Sequence, residues 1–423
     1  MIEAMRREGG WALPDNAWNL LDGVEPPELP TVSVVVVHYR QPRQLARTLR
    51  AIGRQRYPGH LVETIVVDDG SPEAPVVPRD VRLIVQADHG FRVAAARNLG
   101  VAAARNQVLV FLDADTTPEP DYLRRITRLP ALTWDALAVG RRRHADLASA
   151  DDEADVAAAG RAGELEEPQW LRDAYRRSGN LLQSDQRSYR FVIGAVMACS
   201  RRFFDEVGGF DESFTRYGGE DWEWAYRAWL RGAVVAHVPD AVAWHDGPDR
   251  SVREPEALDA KNAEVLALAR LIPVPGSRPR AIAPEKVDVV VTGPSPSASD
   301  GQAFVSRDSV LDALPSAELA EDGWEASGRF DRVRIEVVIE RPARVPREAL
   351  AEATAAIESG GYARVVLRSP AGEPLLRLTS TRAAARQARW GGPPILPDLD
   401  LTTTGGEALP AEVDVEAYVG GWD

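Results

Sequence analysis

Apolar runs alternate with helically spaced apolar positions through the first part of this chain. Val32–Val37 is a continuous β-branched run, the mark of a strand buried on both faces. Leu45, Leu49 and Ile52 recur at helical spacing and predict a helix over Gln41–Gln55. Thr64–Val67 and Val81–Val85 read as two further strands, Arg92–Arg105 as an alanine-rich helix, and Val108–Leu112 as a fourth strand. Strands alternating with helices predict a parallel sheet with right-handed crossovers. Asp68-Asp69-Gly70-Ser71 and Asp113-Ala114-Asp115 each follow a strand directly. Both clusters therefore fall at the carboxyl edge of the sheet, where open α/β sheets bind ligands.

The rest of the pattern divides the chain. Residues 1–30, with Trp11, Trp18 and several prolines, form a prelude expected to pack on the domain that follows, residues 31–272. Within that domain the polar stretch 141–190 has no clear strand and reads as helices or a mobile insertion. Strand character returns over Phe191–Ser200, Glu220–Arg231 is a helix, and Val234–Val238 is a short strand leading to Trp244-His245. Residues 273–286 are a proline-rich linker. Residues 287–395 hold strands at Val287–Val291, Val333–Ile339 and Ala363–Leu367 and a helix at Arg347–Ser359. They read as a smaller α/β or α+β domain, whose role is open between acceptor recognition, a protein partner and oligomerisation. The last 34 residues contain seven acidic groups and no Lys or Arg, so 396–423 is expected to be an acidic tail.

Composition narrows the function classes. With 44% hydrophobic and 27% charged residues the chain is a globular protein. A net charge of −14 argues against nucleic acid as a partner, because that requires a basic face. The single cysteine, Cys199, sits in an apolar run and reads as a core thiol; no intramolecular disulfide is possible, which suits a reducing compartment. The start, MIEAMRREGG, lacks the basic and apolar regions of a signal peptide. No apolar run approaches the roughly 18 residues of a membrane span. A cytoplasmic protein is the expectation.

The candidate chemistry lies in the acid clusters. Two carboxylates on a tight D-x-D turn can hold a divalent cation against a diphosphate while one reaches a ribose hydroxyl. In isolation such a turn is more often structural. Here it follows a helix carrying Arg97-Asn98, a source of positive charge for phosphate. Gly218-Gly219-Glu220-Asp221 places two acids after a flexible turn at a helix start, where a carboxylate can take a proton from a hydroxyl or cap the helix. His245 is a candidate metal ligand. Of Trp222 and Trp224, one is expected to stack on a sugar and the other to be core. A nucleotidyltransferase is the alternative enzyme, but it would carry a glycine-rich phosphate loop, and Val37–Pro42 contains no glycine. A non-catalytic binding module is the other alternative; loss of an acid pair would favour it, and both pairs are present.

Five blocks occur in order: Ser33–Val37 with His38-Tyr39-Arg40 and Val67–Ser71; Gly90–Gly100 with Arg97-Asn98; Phe111–Asp115; Val207–Glu212 with Gly218–Trp222; and Trp244-His245. Together, over residues 31 to 250, they resemble family 2 glycosyltransferases of the GT-A fold. They are most similar to the branch of bacterial chondroitin-type polymerases with a galactosyltransferase-like C-terminal signature. The resemblance implies an inverting transferase that moves a hexose or N-acetylhexosamine from a UDP-sugar to a carbohydrate, peptide or small-molecule acceptor. It implies Mn2+ (or Mg2+) held by Asp115 and His245. Donor binding would fall to His38, Tyr39, Arg40, Asp68, Asp69, Arg97 and Asp113, with Asp68 on the uracil ring and Asp113 on the ribose. Asp221 would be the general base, with Glu220, Gly219 and Trp222 on the sugar or acceptor. One departure matters: His38-Tyr39-Arg40 stands where the family carries a Pro-Thr-Tyr-Asn type turn, which leaves the base open.

Overall fold

The computed structural model describes residues 3–151, 154–216, 218–249, 256–277, 281–320 and 323–420. Residues 278–280 of the expected linker, 152–153 of the expected insertion and 421–423 of the expected tail lie outside the described residues. The chain divides into two compact units, Met1–Trp229 with Ala233–Leu268, and Leu230–Gly232 with Ala269–Asp423.

The first unit is built on a mixed, largely parallel sheet. Strand Val32–His38 lies between Val62–Asp68 and Val108–Asp113, parallel to both, and Val81–Val85 extends the parallel part. All seven residues of Val32–His38 are buried, as its unbroken β-branched run requires. Helices Pro42–Gly53 and Val93–Ala103 make the crossovers. The sheet continues through Val196–Ser200, antiparallel to Val108–Asp113, and then Ala136–Ala145. The next strand, Val234–Asp246, runs parallel to Ala136–Ala145.

Three expectations change here. The stretch from 141 was read as strandless, yet Arg141-Arg142-Arg143-His144 completes the strand Ala136–Ala145. Its preceding residues are wholly buried, and the polar ones continue the ladder at the edge of a cavity, where charge is solvated. The short strand ending at Val238 instead extends to Asp246 through a register shift between Val238 and Val242. The shift lets Ala243, Trp244 and His245 also pair with Thr116–Pro118, directly after the D-x-D turn. The strand predicted over Phe191–Ser200 begins only at Val196; Ile193–Ala195 instead line a cavity.

The prelude packs through Leu13 and Leu21 onto Leu129, Leu132, Ala136 and Val234. Asn16 pins it by exchanging hydrogen bonds with both backbone groups of Val235.

The second unit is a six-stranded mixed sheet. In spatial order its strands are Ala317–Leu319, Val289–Thr292, Ile335–Ile339, Pro374–Ser380, Arg364–Arg368 and Asp398–Thr402. Helices Asp300–Ala313 and Arg347–Glu358 contribute to its core. The expected acidic tail thus contains a strand, Asp398–Thr402, paired in parallel with Arg364–Arg368. Leu399 and Leu401 pack on the core, and Asp400 pairs with Arg368 at 2.8 Å. Among the described residues no helix is long and apolar enough to cross a membrane.

Candidate active site

The carboxyl ends of the parallel strands open into a cleft of about 540 Å³. Of the residues singled out in the sequence, His38, Tyr39, Asp69, Arg97, Asp113, Asp115, Gly219, Glu220, Asp221 and Trp222 line it. Asp68, Arg40 and His245 are not among its lining residues.

Asp68 is fully buried, and its oxygens accept from His38 Nδ1 (2.7 Å), Ser71 Oγ (2.7 Å) and the Ser71 N–H (3.0 Å). The Gln41 N–H donates to His38 Nε2 at 3.1 Å, so that nitrogen carries no proton and Nδ1–H donates to Asp68. Asp68 therefore braces the first loop from behind. Arg40, at φ 55°, donates its N–H to Ser71 Oγ at 2.9 Å and lays its guanidinium over Tyr39. The cleft-facing member of the pair is Asp69, which accepts from Gln86 Nε2 and from the Arg92 N–H (2.9 Å).

Arg97 joins the two acid clusters. Its Nη2 donates to Asp113 Oδ1 at 3.1 Å and its Nη1 to Glu220 Oε1 at 2.7 Å. The next residue explains the placement: Asn98 bonds both backbone groups of Phe210, clamping the helix to the loop that precedes Gly218-Gly219-Glu220-Asp221. Gly194 leaves room for the guanidinium, since a Cβ there would lie 3.0 Å from Nη1. Burial pulls the Arg97 pKa down, but Asp113, Glu220 and Asp221 outweigh it and hold it above the ordinary value. Burial, with Asp115 beside it, raises the Asp113 carboxyl against Arg97 and Arg142.

On the metal side, Asp115 Oδ2 accepts from Gln41 Nε2 at 2.7 Å and lies 3.6 Å from His245 Nε2. His245 Nδ1–H donates to the Gly247 carbonyl at 3.2 Å, which leaves Nε2 as the ring nitrogen on the Asp115 side. A carboxylate oxygen beside an imidazole lone pair is a fitting donor set for a borderline divalent cation. Among the described residues no three His, Cys, Asp or Glu converge as a ready-made metal cage. Asp115 and His245 could supply two ligands to such a cation, with the others coming from substrate and water, as is common for phosphate-bound cations.

On the opposite wall, helix Glu220–Leu230 begins with its acids at the positive end of the helix dipole. Asp221 Oδ2 accepts from the Gly194 N–H at 2.9 Å. Glu220 is buried, its Oε2 has no hydrogen-bond partner, and burial followed by the Asp221 charge pushes its pKa up to about 7. Gly218 and Gly219, at φ 92° and 95°, make the turn, and a Cβ on Gly218 would meet Glu264 Oε2 at 2.5 Å. Trp224 is wholly buried and donates Nε1–H to the Gly208 carbonyl, whereas Trp222 faces the cleft with Lys261 Nζ over its ring.

Sequence reasoning missed Gln41, Arg142, Gly194, Lys261 and Glu264 as cleft residues. Arg142 had a signal: the apolar run Ala136–Val139 just before it marks a strand ending near the site. Lys261 and Glu264 had none, because only folding returns their helix, Glu256–Leu271, to this wall.

The acid-lined cleft thus lies at the carboxyl edge of a mixed, largely parallel α/β sheet of the GT-A type. Residues 29–263 match the model of glycosyltransferase-like family 2, and the chain belongs to that family. It is 28% identical to the chondroitin synthase of Escherichia coli over 57% of this chain and 38% of that protein. Against the hyaluronan synthase of Pasteurella multocida the figures are 27%, 57% and 27%. Against a validoxylamine A glucosyltransferase of Streptomyces hygroscopicus they are 30%, 48% and 49%. The chain thus spans half or less of the length of these relatives, and the first two place it near the chondroitin-polymerase-like branch. Among solved structures, a Pyrobaculum calidifontis mannosyltransferase in complex with GDP-mannose and Mn2+ aligns with a TM-score of 0.40 at 20% identity, over 59% of this chain and 64% of that one.

Proposed function

We propose that the chain transfers a hexose or N-acetylhexosamine from a UDP-sugar to an acceptor hydroxyl, with inversion, in one displacement. The observation that carries this reading is Arg97, which ties Asp113 to Glu220 and so sets the two acid clusters on facing walls of one cleft. An inverting transfer needs leaving-group stabilisation on one side of the anomeric carbon and a base on the other. The names of the relatives, chondroitin, hyaluronan and glucosyl transferases among them, support a hexosyl donor.

In this reading Tyr39 and Asp69 receive the base, since Asp69 rather than Asp68 faces the cleft, and Asp113 receives the ribose. Asp115 and His245 would hold Mn2+ or Mg2+, which when bound would neutralise charge on the departing diphosphate. Asp221 takes the acceptor proton as the acceptor oxygen bonds to the anomeric carbon. The bond from that carbon to the phosphate oxygen breaks, and UDP leaves with the electron pair. Glu220 and Trp222 orient the sugar, and Arg97 fixes Glu220 and Asp113 in place.

Calorimetric titration of UDP with and without Mn2+ tests the donor half, with Asp115→Ala alongside. Metal-dependent binding that the substitution abolishes is the expected result. A folded wild-type protein that ignores UDP in both conditions would refute the assignment of the base.

A further inference from the structure

A second pocket, of about 260 Å³, adjoins the cleft, and Arg142 and Ile193 line both. Helix Gln169–Arg177 connects them. Its Arg172, Tyr175 and Arg176 line the second pocket, while its half-exposed Trp170 stands edge-on to Trp222 of the cleft, with ring centres 6.5 Å apart. An aromatic step thus leads from the Asp221 wall toward the pocket.

The largely apolar pocket carries a few polar groups in a particular arrangement. His237, only 6% exposed, lies flat against Tyr175 at 3.6 Å. Its Nδ1 bonds Asn180 Oδ1 at 2.9 Å, and its Nε2 has no partner. Burial, then Arg141, hold the ring neutral with a pKa down to about 3. Nδ1 therefore carries the proton and Nε2 is a buried acceptor, a group that native proteins rarely leave unmet. The acid in the lining, Glu167, is engaged by Arg141 at 2.6 Å. Among the described residues Arg142 and Arg172 have long pairs, with Asp249 at 3.5 Å and Glu166 at 3.4 Å, and the solvent-exposed Arg176 pairs with Asp173 of its own helix at 2.9 Å. Such pairs are weak and yield to a better-placed anion.

We propose that this pocket is an acceptor subsite for a hydroxylated anion, a sugar bearing a carboxylate or a phosphate. Arg172 and Arg176 hold the anion, and His237 Nε2 accepts a hydrogen bond from a hydroxyl. The assignment rests on the reading of Asp221 as the acceptor-side base, because the subsite extends the cleft from that wall.

The test uses the whole chain saturated with UDP and Mn2+, titrated with D-glucuronate, glucose 6-phosphate and glucose and followed by saturation-transfer NMR. At least one of the two anions should bind about tenfold or more tightly than glucose. The double variant Arg172→Gln/Arg176→Gln should erase that preference while leaving UDP affinity within twofold. Preference for glucuronate identifies a carboxylate ligand, and preference for glucose 6-phosphate a phosphate. Equal or absent binding of all three sugars, or a preference that survives in the double variant, overturns the subsite. UDP binding is measured first and alone, so failure of the donor reading is seen separately from failure of the subsite.

Discussion

The two walls of the cleft use the same residue type in opposite surroundings. On one wall Asp115 accepts a hydrogen bond from Gln41, lies 3.6 Å from His245 Nε2 and keeps contact with solvent. On the other, Glu220 is buried with one oxygen unmet and the Asp221 charge against it, which favours the protonated form. Neighbouring carboxyl groups in unlike environments acquire unlike roles. Arg97 is what keeps the walls apart yet linked.

The largest expected effect comes from Asp221. Asp221→Asn should lower kcat by about 10²–10⁴-fold, the usual worth of a positioned base, with UDP affinity nearly unchanged. Steady-state kinetics beside calorimetry separate the two, and a greater loss in Glu220→Gln would move the base to Glu220. Next, Arg97→Met strands two acids that are wholly or partly buried and should cost about 3–5 kcal/mol of stability in urea unfolding. A cost under 1 kcal/mol would mean that the walls are held by backbone alone.

The smallest effect is one of pH. The Glu220 carboxyl rises from 4.5 in the unfolded chain to about 7 in the fold. Between those values the folded state keeps a proton that the unfolded chain has lost, so wild-type stability falls as pH rises from 4.5 to 7 and is flat with respect to this group beyond. Glu220→Gln should remove that fall, on the order of 3 kcal/mol, from a series of urea midpoints against pH. An unchanged slope would show that Glu220 ionises freely.

Much of the parallel half was legible because its inner strands are buried on both faces, and burial on both faces writes an unbroken apolar run; the edge strand Val81–Val85 is only half-buried. Val32–His38 and Val108–Asp113 differ from their predicted limits by a single residue at the carboxyl end. The strand Ala136–Ala145 escaped notice because its second half is written in arginine and histidine, of which Arg142 lines the cleft. Asp398–Thr402 was hidden by net charge, although Asp-Leu-Asp-Leu alternates with a period of two, and its aspartates face the arginines of Arg364–Arg368.

The sequence alone determined which chemistry is present: two acid pairs after strands whose apolar runs fix the carboxyl edge, a third pair at a helix start, an arginine and a histidine. Only the tertiary structure decided which of them meet. Whether Asp68 or Asp69 faces the cleft depends on strand direction and on His38 and Ser71 closing around one carboxylate. Whether His245 reaches Asp115 depends on a register shift and an antiparallel pairing across the chain. Composition does not encode such long-range contacts, because they arise from the packing of elements that are remote from one another in sequence.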